Sequence, residues 1–418
     1  MFFQKNILSS VIYQINSEKK YNREVKKMLN FTLSNFRDMQ FKEVIGHDEV
    51  KRKLIQAKKD GRVSHAQLIL GPEGTHKLAL AIAYAQFLNC ENPSENDSCG
   101  ACSSCIKYQK LSHPDLHFIF PTINAKSNDK PCSDDYMAEW MEYLKKTDCH
   151  VSLSDWIHHT WDENKQGVIN VKDAHLMIEK INVKNYEAKI KVFIIWMVEK
   201  LQHQAAPKLL KTIEEPPENS LILMITENYD KVLSTILSRS QLIKLSKYPD
   251  EIVRNELIAR YQVPVSKAAN ITRFVDGNFF HALKASKEES EYDYTKEYAD
   301  LMRSAFMVVH KKTGLDKLEA WVSGAAKQSR DNQIEFFKYC LNMTRQSMLT
   351  NFNEEKLVNL SDEESDFLSK FSPFINEANA MSIAEEINKT ILHIERNGNA
   401  NIVLLDMAFN IGKLLRKM

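Results

Sequence analysis

Residues 68–78, Leu-Ile-Leu-Gly-Pro-Glu-Gly-Thr-His-Lys-Leu, run from an apolar strand pattern through a glycine-containing turn into a helical pattern. That order is what a phosphate-binding loop requires: backbone N–H groups wrap the phosphates, a Lys neutralises the β/γ oxygens, and a Ser or Thr hydroxyl holds Mg²⁺. Gly71, Gly74 and Lys77 are in place, but His76 stands where a glycine precedes the Lys, and Leu78 where the hydroxyl follows it. A Cβ at the first position penalises the required backbone geometry, and Leu cannot ligate a metal. Taken alone, the segment reads equally well as a tight strand–helix turn that happens to contain Gly and Lys.

The rest of the chain supplies a setting for such a loop. Short apolar runs at 68–70, 117–120, 192–195, 221–225 and 242–245 read as buried parallel strands. Helical patterns at 48–59, 77–88 and 206–215 separate them, the last stopped by Pro216–Pro217. Strands alternating with helices imply a doubly wound α/β domain. A long, mostly polar segment, 122–191, interrupts it between the second and third strands and holds helix candidates at 134–146 and 171–180. Beyond Leu245 strand signals fade: 248–288 suits a small helical domain and 289–418 a larger one, closed by a helix at 402–415 with Ile402, Leu405 and Phe409 at helical spacing. Residues 1–38 are polar and weakly periodic, and are expected to be a disordered leader or to precede a natural start at Met39.

A working nucleotide site also needs acids at the end of a neighbouring strand, to hold Mg²⁺ and polarise the attacking water. After the apolar run 191–195 those positions are Trp196 and Met197, neither of which can do so. Glu199 falls two residues late and reads as a surface or interface residue. Loss of the glycine, the hydroxyl and both acids argues against hydrolysis, and leaves weak nucleotide binding through Lys77 open.

Cys90, Cys99, Cys102 and Cys105 lie in one short polar excursion, CENPSENDSCGACSSC. Tetrahedral Zn²⁺ takes four soft ligands, and two-residue spacings let one tight knuckle present paired sulfurs. The cluster therefore predicts a structural zinc site; His113 and His117, nearby in sequence, are not needed as ligands. Arg239, in Ser238-Arg239-Ser240 before the last strand, reads in isolation as an exposed ion-pairing residue. Lys and Arg total 56 against 55 acids, so a chain that neutralises DNA phosphates by itself is disfavoured. No stretch approaches the ~20 apolar residues of a membrane span, and a cytoplasmic setting fits the clustered cysteines.

In this order the motifs resemble the bacterial clamp-loader branch of the AAA+ ATPases, most narrowly its delta-prime type of DNA polymerase III subunit. The resemblance runs from Met39 to the C-terminus. It rests on Ile45-Gly46-His47, Ser64-His65-Ala66, the loop at Gly71–Lys77, the four cysteines, His113-Pro114-Asp115, the run from Lys208 to Pro217, and Ser238-Arg239-Ser240. Gln166-Gly167 and the run Ile194-Ile195-Trp196-Met197 look like its Bacteroidetes form. The resemblance implies a RecA-like AAA+ domain at 39–247, a helical lid at 248–288 and a helical collar at 289–418. It further implies a hetero-pentameric ring with gamma/tau motor subunits and a delta subunit, loading a sliding clamp onto primed DNA within a DNA polymerase holoenzyme. By the same resemblance Arg239 is an Arg finger acting on a neighbour's ATP, with Ser240 in place of the usual Cys. A nucleotide-sensing Arg is replaced by Phe280 in Gly277-Asn278-Phe279-Phe280. Two alternatives stay open: an ATP-hydrolysing gamma/tau-like motor, and a zinc-dependent DNA-binding module.

Overall fold

The computed structural model describes residues 39–123, 131–161, 167–287, 294–328, 330–352, 358 and 360–415. The leader 1–38 and Gln166 lie outside them. The chain divides into two compact units: residues up to Glu256 together with Gly277–His281, and Leu257–Asp276 together with Ala282 onward.

The first unit is a five-stranded parallel sheet with helices around it. Its elements in order are α1 (Asp48–Lys59), β1 (Ala66–Leu70), α2 (Lys77–Asn89), α3 (Ser103–Gln109), β2 (Leu116–Ile119), α4 (Met137–Lys146), α5 (Leu153–Trp161), α6 (Val171–Asn182), β3 (Lys191–Trp196), α7 (Ala206–Glu214), β4 (Ser220–Thr226), α8 (Ser234–Leu237) and β5 (Gln241–Lys244). The five strands lie in the order β2-β3-β4-β1-β5, all parallel. β3 and β4 are buried along their whole length, as continuous apolar runs covered on both faces must be. Every residue of α2 is buried, because KLALAIAYAQFLN is apolar on nearly all sides.

β5 departs from expectation. It is not a buried strand: Gln241, Leu242 and Lys244 are exposed at the sheet edge, where among the described residues β5 pairs with β1 alone. The segment between β2 and β3 also holds more than its polarity implied. It includes α5, a helix that no periodic pattern in the sequence announces. It buries Trp140, Tyr143, Leu144 and Trp156 in the same core as α2 and the sheet. Trp140 meets Phe120, Trp156 and Trp196 with ring centroids 4.5, 5.0 and 5.0 Å away. Trp140, Tyr143 and Leu144 stand at i, i+3 and i+4 of α4, so one helical stripe carries the packing among polar neighbours.

The helices that follow are α9 (Asp250–Tyr261), α10 (Val265–Phe274), α11 (Phe279–Lys287), α12 (Tyr294–Phe306), α13 (Leu315–Ala326), α14 (Arg330–Asn351), α15 (Asp362–Phe371), α16 (Ala380–Glu395) and α17 (Ala400–Leu414). The core of the second unit joins Leu301 and Met302 of α12, Phe336, Phe337 and Met343 of α14, and Ile383 and Ile387 of α16 to α17. The buried face of α17 is Leu404, Met407, Ala408 and Ile411, while Ile402 is 68% exposed. Of the residues noted for their helical spacing, Leu405 packs partly against this core while Ile402 does not lie on the buried face. α17 is apolar on two sides, and only packing selects between them. Among the described residues no helix is long and apolar enough to cross a membrane.

Trp140→Ala removes the hub of the aromatic cluster and is expected to cost about 3–5 kcal/mol. Denaturant unfolding monitored on the first unit measures it; a shift below 1 kcal/mol would show that the segment between β2 and β3 packs independently of the sheet.

Candidate functional site

The loop between β1 and α2 lies at the carboxyl ends of the strands, where open α/β sheets bind ligands. Its backbone takes the demanding shape that the glycines imply. Gly74 has φ +76°, and a Cβ there would meet Asn278 Oδ1 at 2.1 Å. His76, in the expected glycine position, adopts φ 53° as the N-cap of α2. A non-glycine residue holds that conformation at a cost of roughly 1–2 kcal/mol. Leu78 points into the core at 1% exposure, and Trp196 belongs to the aromatic cluster.

Lys77 already has partners. Its ammonium donates to Pro72 O at 2.5 Å and to Glu227 Oε1 at 3.2 Å, and its side chain is 5% exposed. Glu227 comes from the end of β4. β1 and β4 are adjacent, with Leu70 opposite Thr226, so the residue after Thr226 emerges beside Gly71. Burial pushes the Glu227 carboxyl up, while Lys77 draws it back down. Glu199 is half-buried: its Oε1 accepts from the Glu227 N–H at 2.9 Å and its Oε2 is buried. The short turn at Val198–Lys200 carries it back over the end of β4.

Aromatic rings close the other side. The His76 ring lies 3.9 Å from that of His150, and its Nδ1 is 3.1 Å from Tyr248 Oη. Phe279 packs on both imidazoles, at 5.5 and 5.1 Å. Phe279, not Phe280, is therefore the ring at the loop. His150 is delivered by two successive left-handed residues, Asp148 (φ 50°) and Cys149 (φ 58°), a strained turn that surrounding packing must enforce. Glu73 accepts from Asn278 Nδ2 at 3.2 Å and is 2.9 Å from His281 Nε2. A cavity of about 10 Å³ remains among Gly74, Lys77, His150, Trp196 and Glu227, room for about one water. Glu227, His150, Tyr248 and Phe279 were not singled out in the sequence. Only Glu227 had a local signal, as an acid directly after an apolar strand.

The loop is also braced from Ile45-Gly46-His47, where His47 Nε2 is 3.1 Å from Thr75 O. Burial lowers the His47 imidazole to about 4, and does the same to His117 beneath Phe193.

The four cysteines converge between α2 and α3. Their sulfurs all lie within 4.8 Å of one another, with Cys99 Sγ and Cys105 Sγ 3.9 Å apart. Four ligands at ~2.3 Å in a tetrahedron stand about 3.8 Å from each other, so the set fits one thiophilic cation. Backbone N–H groups of Cys99, Cys102 and Cys105 donate to Cys90, Cys99 and Cys102 sulfurs at 3.2, 3.3 and 3.4 Å. N–H bonds from Ala101 and Cys102 lower the Cys99 thiol to about 6, whereas burial pushes those of Cys90 and Cys105 up. Buried thiols that resist ionisation become thiolates when a cation offsets the charge. His113 and His117 are not members of the cluster.

Arg239 lies apart from both sites, at the turn between α8 and β5. Its side chain is 34% exposed; Nε donates to Glu214 Oε2 at 2.8 Å and Nη1 to Thr235 O at 3.1 Å.

Residues 46–249 match the family described as DNA polymerase III, delta subunit. DNA polymerase III subunit tau of Bacillus subtilis is 26% identical over 253 residues, covering 59% of this chain and 37% of that protein. Subunit tau of Escherichia coli is 26% identical over 222 residues, covering 53% and 28%. Subunit delta' of Bacillus subtilis is 23% identical over 256 residues, covering 60% and 62%. The chain thus spans less than two thirds of the length of each of these relatives. Among solved structures, a DNA polymerase III gamma subunit-related protein from Thermotoga maritima aligns over 87% of this chain and 99% of its own, at 16% identity and TM-score 0.36. The RuvB Holliday junction branch migration motor of the same organism aligns over 69% and 85%, at 14% identity and TM-score 0.34. Residues 46–249 are thus similar in sequence to DNA polymerase III subunits of the delta and tau/gamma types.

Two outcomes test this geometry. Metal analysis of the purified chain is expected to return about one zinc per chain; a folded, metal-free protein would reduce the cluster to four thiols. His47 and His117 stay neutral when folded down to about 4, yet take up protons near ~6.5 when unfolded. The unfolded state binds more protons between those values, so stability is full above about 6.5 and falls as pH drops toward 4. His117→Phe should flatten that slope in unfolding measured at pH 7 and 5, and an unchanged slope would clear His117 of the effect.

Proposed function

We propose that this chain is the non-motor, delta-prime type of subunit in a DNA polymerase III clamp loader. It sits in a hetero-pentameric ring with gamma/tau and delta subunits and helps to load a sliding clamp onto primed DNA in the cytoplasm. The observation that carries the reading is the engagement of Lys77 by Glu227. The group that would meet a nucleotide's phosphates is already paired inside a space too small for one. Leu78, Trp196 and Met197 supply neither a hydroxyl nor a carboxylate for Mg²⁺. On this reading the chain is not an ATPase by itself, and Gly71, Gly74 and Lys77 serve the scaffold.

Its contribution to catalysis is Arg239, acting as a finger on a neighbouring subunit's ATP. The finger must leave Glu214 to do so, and an exposed ion pair of this kind is worth only ~0–1 kcal/mol. A developing γ-phosphate charge in a dry site competes with that easily. A structural Zn²⁺ on Cys90, Cys99, Cys102 and Cys105 pins the knuckle. Division into a AAA+ domain at 39–247, a lid at 248–288 and a collar at 289–418 belongs to the same proposal.

The matches to tau subunits favour one other reading, an ATP-driven motor, and turnover separates the two. The purified chain is expected to hydrolyse no ATP, and turnover abolished by Lys77→Ala would establish the motor. In a ring reconstituted with motor subunits, Arg239→Ala is expected to depress ATP turnover by at least 10-fold, given that such fingers contribute about 10³–10⁵. Full activity of that ring would remove Arg239 from the mechanism.

A further inference from the structure

One surface carries features that neither the phosphate loop nor the cysteine knuckle uses. Residues 183–190, between α6 and β3, are held by an unusual concentration of hydrogen bonds. Asp115, 1% exposed, accepts at 2.8 Å from each of the Tyr186, Glu187 and Ala188 N–H groups. At the start of the segment the Lys191 ammonium donates to Lys180 O and Val183 O, at 3.0 and 2.6 Å. At its end Asn89 brackets Ile190, accepting from its N–H and donating to its carbonyl, both at 2.9 Å. These contacts consume backbone groups and leave Lys184, Tyr186 and Lys189 exposed. Tyr186 is 82% exposed.

A mobile loop could carry an exposed ring without consequence. A ring displayed on a backbone pinned this firmly is preorganised, and loses little conformational freedom when something stacks on it. Cations share its segment. Lys184 and Lys189 are exposed in the same segment. The one acid there, Glu187, is taken by Lys107 of α3 at 2.7 Å. Lys110, three residues beyond Lys107, is exposed as well. None of Lys110, Lys184 and Lys189 joins an ion pair with another described residue.

We propose that this face binds single-stranded nucleic acid, with Tyr186 stacking on a base while Lys110, Lys184 and Lys189 meet the phosphates. The charge selects the occupant. Unpaired lysines flanking one ring match a polyanion whose bases offer π-faces at every step. A protein partner in a stable complex buries roughly 800 Å² a side, whereas the large apolar side chains exposed in this segment are Val183 and Tyr186. The inference rests neither on the state of the phosphate loop nor on ring membership, and it fits a chain of net charge +1, because only a few phosphates are neutralised.

Fluorescence anisotropy of the purified full chain with labelled oligothymidine tests it. Binding that weakens with salt is expected. Tyr186→Ala should weaken it roughly 5- to 100-fold, while Tyr186→Phe, which keeps the ring face, should bind as the parent does. The Lys184→Ala/Lys189→Ala variant should lower the slope of log K against log salt by about 1.4, two phosphates' worth on a single strand. Circular dichroism verifies that each variant is folded, as substitutions of exposed side chains should leave it. No binding by the parent chain, or Tyr186→Ala binding as tightly as the parent, overturns the proposal. So does an oligoglutamate peptide that binds this face while oligothymidine fails to displace it, which would assign the surface to an acidic protein segment.

Discussion

A lysine ammonium buried at the end of a parallel sheet needs an anion, and the pairing of Lys77 with Glu227 answers that requirement. Removing an ammonium from water costs several kcal/mol unless a partner and further acceptors replace the hydration. Glu227 supplies the partner and Pro72 O an acceptor. Glu199 in turn holds the Glu227 backbone. The order of the strands makes this possible, since β4 lies beside β1 and ends level with the loop. A carboxylate carried on β4 reaches Lys77 without distorting either strand.

With that charge satisfied internally, the rest of the pocket follows apolar rules. Trp196 occupies the strand end where an acid would hold a metal, and it can be aromatic because Trp140 packs against it at 5.0 Å. The two positions are therefore linked: an acid at 196 would be buried against indole with no cation to pair with. His150, delivered by the strained Asp148–Cys149 turn, fills the remaining space against His76 and Phe279. Strain of this kind persists only where neighbours enforce it, and here they are the same aromatics that close the loop.

Much of the scaffold was legible because its signals are local. The runs that became β1, β3 and β4 are apolar and bounded by turn residues, and the cysteine spacing placed four sulfurs together before any coordinates. What escaped depends on tertiary neighbours. β5 is exposed at one sheet edge, whereas β2 at the other edge is mostly buried, and the apolar runs do not distinguish them. α17 is apolar on two faces, so periodicity could not tell Leu404, Met407 and Ile411 from Ile402 and Leu405. His76, Leu78 and Trp196 stand out in the sequence against the pattern of a phosphate-binding loop, but do not tell what surrounds Lys77. Glu227 lies 150 residues from Lys77 and His150 lies 74 from His76, and no local pattern joins them.

α2 ties the loop to the other end of the unit. It starts at Lys77 and ends at Asn89, immediately before Cys90, and all thirteen of its residues are buried. A helix of that length spans about 20 Å, and one packed on every side moves as a rigid body if it moves at all. Its last residue brackets Ile190 at the root of β3 and also donates to Tyr108 Oη of α3 at 2.8 Å. The cysteine cluster thus grips the same helix end that positions the segment carrying Tyr186. A cation held by the four sulfurs would stiffen that end directly, whereas the Lys77 end is already held by Glu227.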